Sequence, residues 1–161
     1  MKSPLAAPQP TLRSQAIKLL ARREHSRAEL SKKLALKSAA ATPEDIAQLL
    51  DQLEAAGLLS DLRAATAYVR SHAARFGTAR LSQRLRARGI DSALIEASLA
   101  QDEIADEQAR AAAIWRRKFA GPPHDAREWA RQARFLQGRG FSTDIIRRIL
   151  ILKGAPGDDH D

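Results

Sequence analysis

Leu85-Arg86-Ala87-Arg88-Gly89-Ile90-Asp91-Ser92 and Leu136-Gln137-Gly138-Arg139-Gly140-Phe141-Ser142-Thr143 are two copies of one stretch, aligned without a gap at a step of 51 residues. In each, a leucine closes a basic amphipathic segment, a glycine stops it, and a large apolar residue follows. The match continues with Leu94-Ile95 over Ile145-Ile146 and Leu99 over Leu150. A first copy joins upstream, where Ser26, Leu30 and Leu34 stand over Gly77, Leu81 and Leu85. A period of this size marks a tandem array of one supersecondary unit. Such an array is long and displays a repeated surface, a shape suited to gripping a large partner.

The expected organisation is a flexible N-terminal tail over 1–11, helical repeats over 12–59, 60–100 and 101–153, and an acidic flexible tail over 154–161. Every segment between the tails has helical period and none alternates as a strand does. The first helix carries Ile17, Leu20 and Ala21 on one stripe and ends near Glu24. Ser26-Arg27-Ala28-Glu29 is a capping box: the hydroxyl accepts a backbone N–H while Glu29 reaches back to the Ser26 amide. Thr42-Pro43 opens the third helix, with Ile46, Leu49, Leu50 and Leu53 as its stripe, and Gly57 stops it. The second unit opens at Ser60-Asp61, turns Ala65, Tyr68 and Val69 inward, and runs to about Arg75. Asp91 and Ser142 cap the last helices of the second and third units. The third unit opens at Asp102, with a stripe of Ile104, Ala111, Trp115 and Phe119, and Gly121-Pro122-Pro123 ends that helix. The fold class is therefore all-α, three tandem three-helix repeats in which a short helix, a tight turn and a third helix follow helix-turn-helix geometry.

Charge narrows the partners. Lys and Arg number 27 against 19 Asp and Glu, a net +8. Three acids lie in the last four residues, so the body carries about +11. A strongly basic protein meets nucleic acid, an acidic protein surface or anionic lipid. No apolar run approaches the ~20 residues that span a bilayer. Met1 to Pro10 holds three prolines and no signal region, and there are no cysteines for disulfides or thiolate metal sites. A cytoplasmic location is expected.

Catalytic and cofactor chemistry is poorly supplied, so no enzyme activity, cofactor or metal is expected. His25, His72, His124 and His160 show no spacing that would share a metal ion, and each reads as a lone surface histidine. Asp106 and Glu107 are adjacent and point apart. There is no phosphate-binding loop and no nucleophile elbow. The chain supplies basic clusters instead. Lys18, Arg22 and Arg23 end the first helix, and Arg27, Lys32 and Lys33 follow on the second. Arg80, Arg84, Arg86 and Arg88 mark the same region of the second unit. Arg131, Arg134 and Arg139 mark the third, with Arg147 and Arg148 beyond, and Arg116-Arg117-Lys118 closes its first helix. The planar fork of arginine suits phosphate or carboxylate. Binding to nucleic acid through these groups is expected to be weak in sequence preference and steeply salt-dependent. The aromatic residues fall mostly on helix stripes, so base stacking is not the main expectation. Reversing Arg84 and Arg88 to Glu is expected to weaken partner binding without unfolding the chain.

Several separated motifs resemble the RecX regulatory proteins. They are Ala21-Arg22-Arg23-Glu24-His25-Ser26-Arg27-Ala28-Glu29-Leu30 with Lys33-Leu34, then Leu53 with Gly57-Leu58-Leu59-Ser60-Asp61, Arg63, Ala65, Tyr68 and Val69. Gly77, Arg80-Leu81, Leu85, Gly89-Ile90 and Phe135-Leu136-Gln137-Gly138-Arg139-Gly140-Phe141 complete the series over about 12–152. Ala64 stands where the family usually has Phe, and Arg84 where it often has Glu. The resemblance implies an extended, curved array that binds along the groove of the RecA–DNA filament. It further implies inhibition of filament growth, ATP hydrolysis and strand exchange. Expected partners are the RecA recombinase filament and single-stranded, with some double-stranded, DNA; the protein itself is expected to be a monomer. The alternative reading is an independent helix-turn-helix DNA-binding module.

Overall fold

A computed structural model describes residues 10–101 and 106–150. The expected tails fall largely outside these residues, as do Asp102, Ile104 and Lys153. The described residues form helices only: α1 (Leu12–Leu20), α2 (Arg27–Lys37), α3 (Pro43–Ala55), α4 (Asp61–His72), α5 (Thr78–Ala87), α6 (Ser92–Leu99), α7 (Glu107–Lys118), α8 (Ala126–Gly138) and α9 (Thr143–Ile149).

The helix starts follow from side chains that satisfy free backbone amides. Ser26 accepts from the Glu29 amide while Glu29 accepts from the Ser26 amide, the complete reciprocal box. Thr42 and Asp45 repeat it on α3, with Pro43 where its missing N–H is harmless. Ser60, Asp91 and Ser142 cap α4, α6 and α9. The stops are equally local. Gly89 and Gly140 adopt positive φ (74° and 88°), and the amides of Ile90 and Phe141 then bond back to the carbonyls of Leu85 and Leu136. Ile90 and Phe141 are thereby turned into the core.

Apolar side chains gather in three successive clusters. Leu19, Leu30, Leu34, Ile46, Leu50 and Leu53 anchor the first. Tyr68, Val69, Leu81, Leu85, Ile90 and Ile95 make the second. Ala111, Ile114, Leu136, Phe141, Ile146 and Leu150 make the third. Within each, a leucine of the quoted period is fully buried: Leu34, Leu85 and Leu136.

Four local expectations are corrected. The inward stripe of α1 is Ala16 and Leu19, while Ile17 is 38 % exposed and Ala21 is exposed. Ala16 and Leu19, three residues apart, share the face turned to the core, and Ile17 lies off that face. The helix itself stops at Leu20 rather than near Glu24. The helix after Ser60 ends at His72 rather than near Arg75, because residues 73–76 turn toward α7. On α7, Ile114 is buried and Trp115 is half-buried, its indole N–H donating to Gln132 at 2.7 Å.

Candidate functional site

The 51-residue period marks joints between units as well as cores. At the first joint, the Ser26 hydroxyl donates to the Arg88 carbonyl at 2.6 Å, and the Arg27 amide donates to Asp61 at 2.7 Å. One period on, the Gly77 amide donates to the Arg139 carbonyl at 2.8 Å, and the Thr78 amide donates to Glu107 at 2.8 Å. Ser26 and Gly77, Arg27 and Thr78, and Arg88 and Arg139 are equivalent positions. The fit is closest at the glycines. A Cβ on Gly89 would meet the Ala28 Cβ at 2.5 Å, and one on Gly77 would run into the Gly140 carbonyl oxygen.

The two joints differ in electrostatics. The first is internally balanced. Glu29 accepts from Arg88 at 2.9 Å and from Arg23 at 3.2 Å, and Glu24 accepts from Arg63 at 2.9 Å. Burial alone would raise the Glu29 pKa, but the hydrogen bonds from Arg23 and the Ser26 amide, with the Arg88 charge, bring it below the ordinary carboxylate value. The position equivalent to Glu29 in the second joint is Arg80, and the joint there is built on carbonyls. Arg80 donates to the Gly138 carbonyl at 3.1 Å and Arg139 to the Arg75 carbonyl at 3.2 Å. Arg110 donates to the carbonyls of Ala73 (3.0 Å) and Phe76 (2.8 Å), and Arg117 to that of Ala74 (3.2 Å). Cations gathered on the carbonyls at a helix C-terminus are favourably placed against its dipole.

These contacts sort the basic residues read from the sequence. Lys18, Arg22, Arg23, Lys32, Arg86, Arg116, Arg117, Arg131, Arg134, Arg147 and Arg148 are exposed. Arg27, Lys33, Arg80, Arg84, Arg88 and Arg139 are half-buried and engaged. Arg27 pairs with both Asp51 and Glu54, at 2.8 and 2.7 Å, which neutralises it within the first unit. Arg84 lies over the Phe76 ring and donates to the Tyr68 hydroxyl, and Arg88 lies over the Tyr68 ring as well as on Glu29. Reversing Arg88 would therefore set one carboxylate against another inside a joint. The expectation that reversing Arg84 and Arg88 leaves the fold undisturbed is not supported by this geometry. Arg131 has a weak 4.0 Å contact with Glu128 and lies over Phe119.

Three features escape the sequence reading. His25 is 1 % exposed rather than a surface histidine: its Nδ1 bonds the Arg23 carbonyl at 2.9 Å, and the Lys33 ammonium donates to Nε2 at 2.9 Å. Its position beside the buried Ser26 cap is what encloses it. Arg110 is 7 % exposed and its pKa is lowered by burial. Its position one turn before Ile114, on the apolar stripe, was the available signal. Lys37 joins Lys18 and Arg22 around one hollow beside α1. It stands one and two periods before Arg88 and Arg139, so the same step of 51 pointed to it. Among the described residues, no three His, Cys, Asp or Glu side chains group as metal ligands. No helix there is long and apolar enough to cross a membrane.

Two family models match the chain: "RecX, second three-helix domain" over residues 60–99 and "RecX, third three-helix domain" over 105–150. The regulatory protein RecX of Leptothrix cholodnii is 46 % identical over 155 residues, covering 96 % of each chain. That of Ralstonia nicotianae is 45 % identical over 152 residues, 94 % of this chain and 93 % of the relative. In fold, the chain is similar to the crystal structure of RecX from Lactobacillus salivarius, with a TM-score of 0.70 and 22 % identity over 86 % of this chain and 91 % of that one.

Proposed function

The chain belongs to the RecX family of regulatory proteins, and from that membership we propose that it binds along the groove of the RecA–DNA filament and restrains it. In this reading it limits filament extension, ATP hydrolysis and strand exchange, and so moderates recombination and DNA repair. It works in the cytoplasm as a non-enzymatic monomer. The units proposed are 12–59, 60–100 and 101–153, each built on one apolar cluster. The observation that carries the reading is the pair of joints repeated at one step along the chain. Units linked at equivalent positions, Ser26 on Arg88 and Gly77 on Arg139, set successive groups of cations along one body. Several weak contacts on one body then act together, raising occupancy through effective concentration.

The helix-turn-helix alternative gains little support. The third helix of such a unit reads bases, yet α3 carries Glu44, Asp45, Asp51 and Glu54 and no cation, and α6 carries Glu96 and no cation. These two helices would repel phosphate, which leaves α9, with Arg147 and Arg148, as the one third helix whose charge suits it. One preparation tests both readings. The protein should suppress the recombinase's DNA-dependent ATPase at concentrations far below those at which it binds naked DNA. Selective binding to one duplex sequence with the ATPase untouched would favour the alternative.

A further inference from the structure

The second joint encloses a groove whose charge differs from that of the first joint. Two adjoining hollows, about 550 and 320 Å³, share Ala74 and Arg117 as a common wall and make up a trough between the end of α4 and the helices α7 and α8, crossed by the Arg117 bond to the Ala74 carbonyl. Its rim carries Arg75, Arg116, Arg117, Lys118 and Arg139. None of these five pairs with a carboxylate among the described residues, whereas the first joint's cations Arg23, Arg63 and Arg88 all do. The carbonyls that Arg117 and Arg139 contact are neutral and use one of each guanidinium's five donors, leaving the charge uncompensated. Between these cations lie Ala74, Ala109, Ala113 and Ile114 with the buried Arg110, and at one end the Phe135 ring, over which Arg139 lies at 4.7 Å.

We propose that this trough is a docking site for an acidic polypeptide segment carrying an apolar anchor residue, and that the second joint is where the protein grips its protein partner. The inference rests on the filament-binding reading and refines it. A phosphodiester backbone would use the cations and gain nothing from the aliphatic Ala74, Ala113 and Ile114 between them. An acidic peptide uses both, placing carboxylates on the guanidinium forks and an aliphatic side chain between them. The first joint has an apolar lining too, with Ala64, Ala67, Tyr68 and Ile90, but its cations are already paired with carboxylates.

The test uses the full chain and a labelled peptide, Glu-Asp-Glu-Asp-Leu-Glu-Asp-Glu, followed by fluorescence anisotropy, with an oligothymidylate measured in parallel. Arg117→Glu with Lys118→Glu should weaken peptide binding at least about tenfold, judged on variants whose circular dichroism matches the parent. Lys18→Glu with Arg22→Glu, an equal change in net charge far along the sequence, should weaken it less than about threefold. Replacing the peptide's leucine by glycine should cost about fivefold. Equal losses from the two charge reversals, or indifference to the leucine, would overturn the proposal in favour of long-range charge alone. A larger loss for oligothymidylate than for peptide in the Arg117→Glu, Lys118→Glu variant would overturn it in favour of a phosphate groove. The parent's inhibition of the recombinase ATPase separates the two levels. If inhibition holds and the peptide does not bind, this inference fails alone; if inhibition is absent, the reading beneath it fails.

Discussion

His25 shows how one enclosed side chain ties folding to acidity. Burial lowers its pKa below the ordinary 6.5, with the Arg23 and Lys33 charges acting the same way and the bond to the Arg23 carbonyl opposing them. The unfolded chain takes up the proton more readily than the folded one. Stability is then full above about 6.5 and is lost as pH falls from there through the lower folded value. The melting temperature should decline between about pH 7 and pH 5, and His25→Gln should flatten that decline. An unchanged slope in the variant would assign the acid sensitivity to other groups. Nothing in the residue pattern announced this burial, because a histidine in a short connection gives no periodic signal. The leucines did announce theirs. Leu85 sits on a helical stripe and is fully buried, and Leu85→Ala should cost on the order of 2–5 kcal/mol in urea unfolding.

At the scale of elements, the glycines divide by what surrounds them. An alanine at Gly77 would drive its methyl into the Gly140 carbonyl, which is backbone and cannot swing aside. Gly77→Ala should destabilise by about 2–4 kcal/mol and separate the second unit's packing from the third's. Gly138, with open space around its Cβ position and no unusual φ, is the contrast. Gly138→Ala should be neutral or stabilise by up to about 1 kcal/mol, measured in the same denaturant titration. The helix starts at Ser26, Thr42 and Asp91 and the stops at Gly89 and Gly140 were readable in advance because these residues act through their nearest neighbours, whereas the ends of α1 and α4, which lack such a glycine, come earlier than expected. The joints were not readable. Arg139 meeting Arg75, or Glu107 meeting the Thr78 amide, depends on how whole units stack, and no local pattern encodes that. The repeat supplied the equivalences without supplying the contacts.

At the scale of the molecule, cations that looked alike in sequence separate into structural and available sets. Arg27 and Arg88 are held by carboxylates, whereas Arg86, Arg116 and Arg134 have none within reach among the described residues. On the filament-binding proposal, Arg86→Glu should therefore reduce inhibition of the recombinase several-fold with an unaltered melting temperature. Arg88→Glu should lower both, since it also opposes Glu29. Equal melting temperatures for the two variants would show the Arg88–Glu29 contact to be dispensable.

The first amide of α2 is capped by Asp61, and the first amide of α5 by Glu107, so each of these helices borrows its opening acceptor from the unit that follows. Melting a downstream unit would strip that acceptor from the one before it. Loss of order would then pass backwards along the chain. The dependence runs one way: the first unit leans on the second and the second on the third, so disturbance of the last is felt farthest.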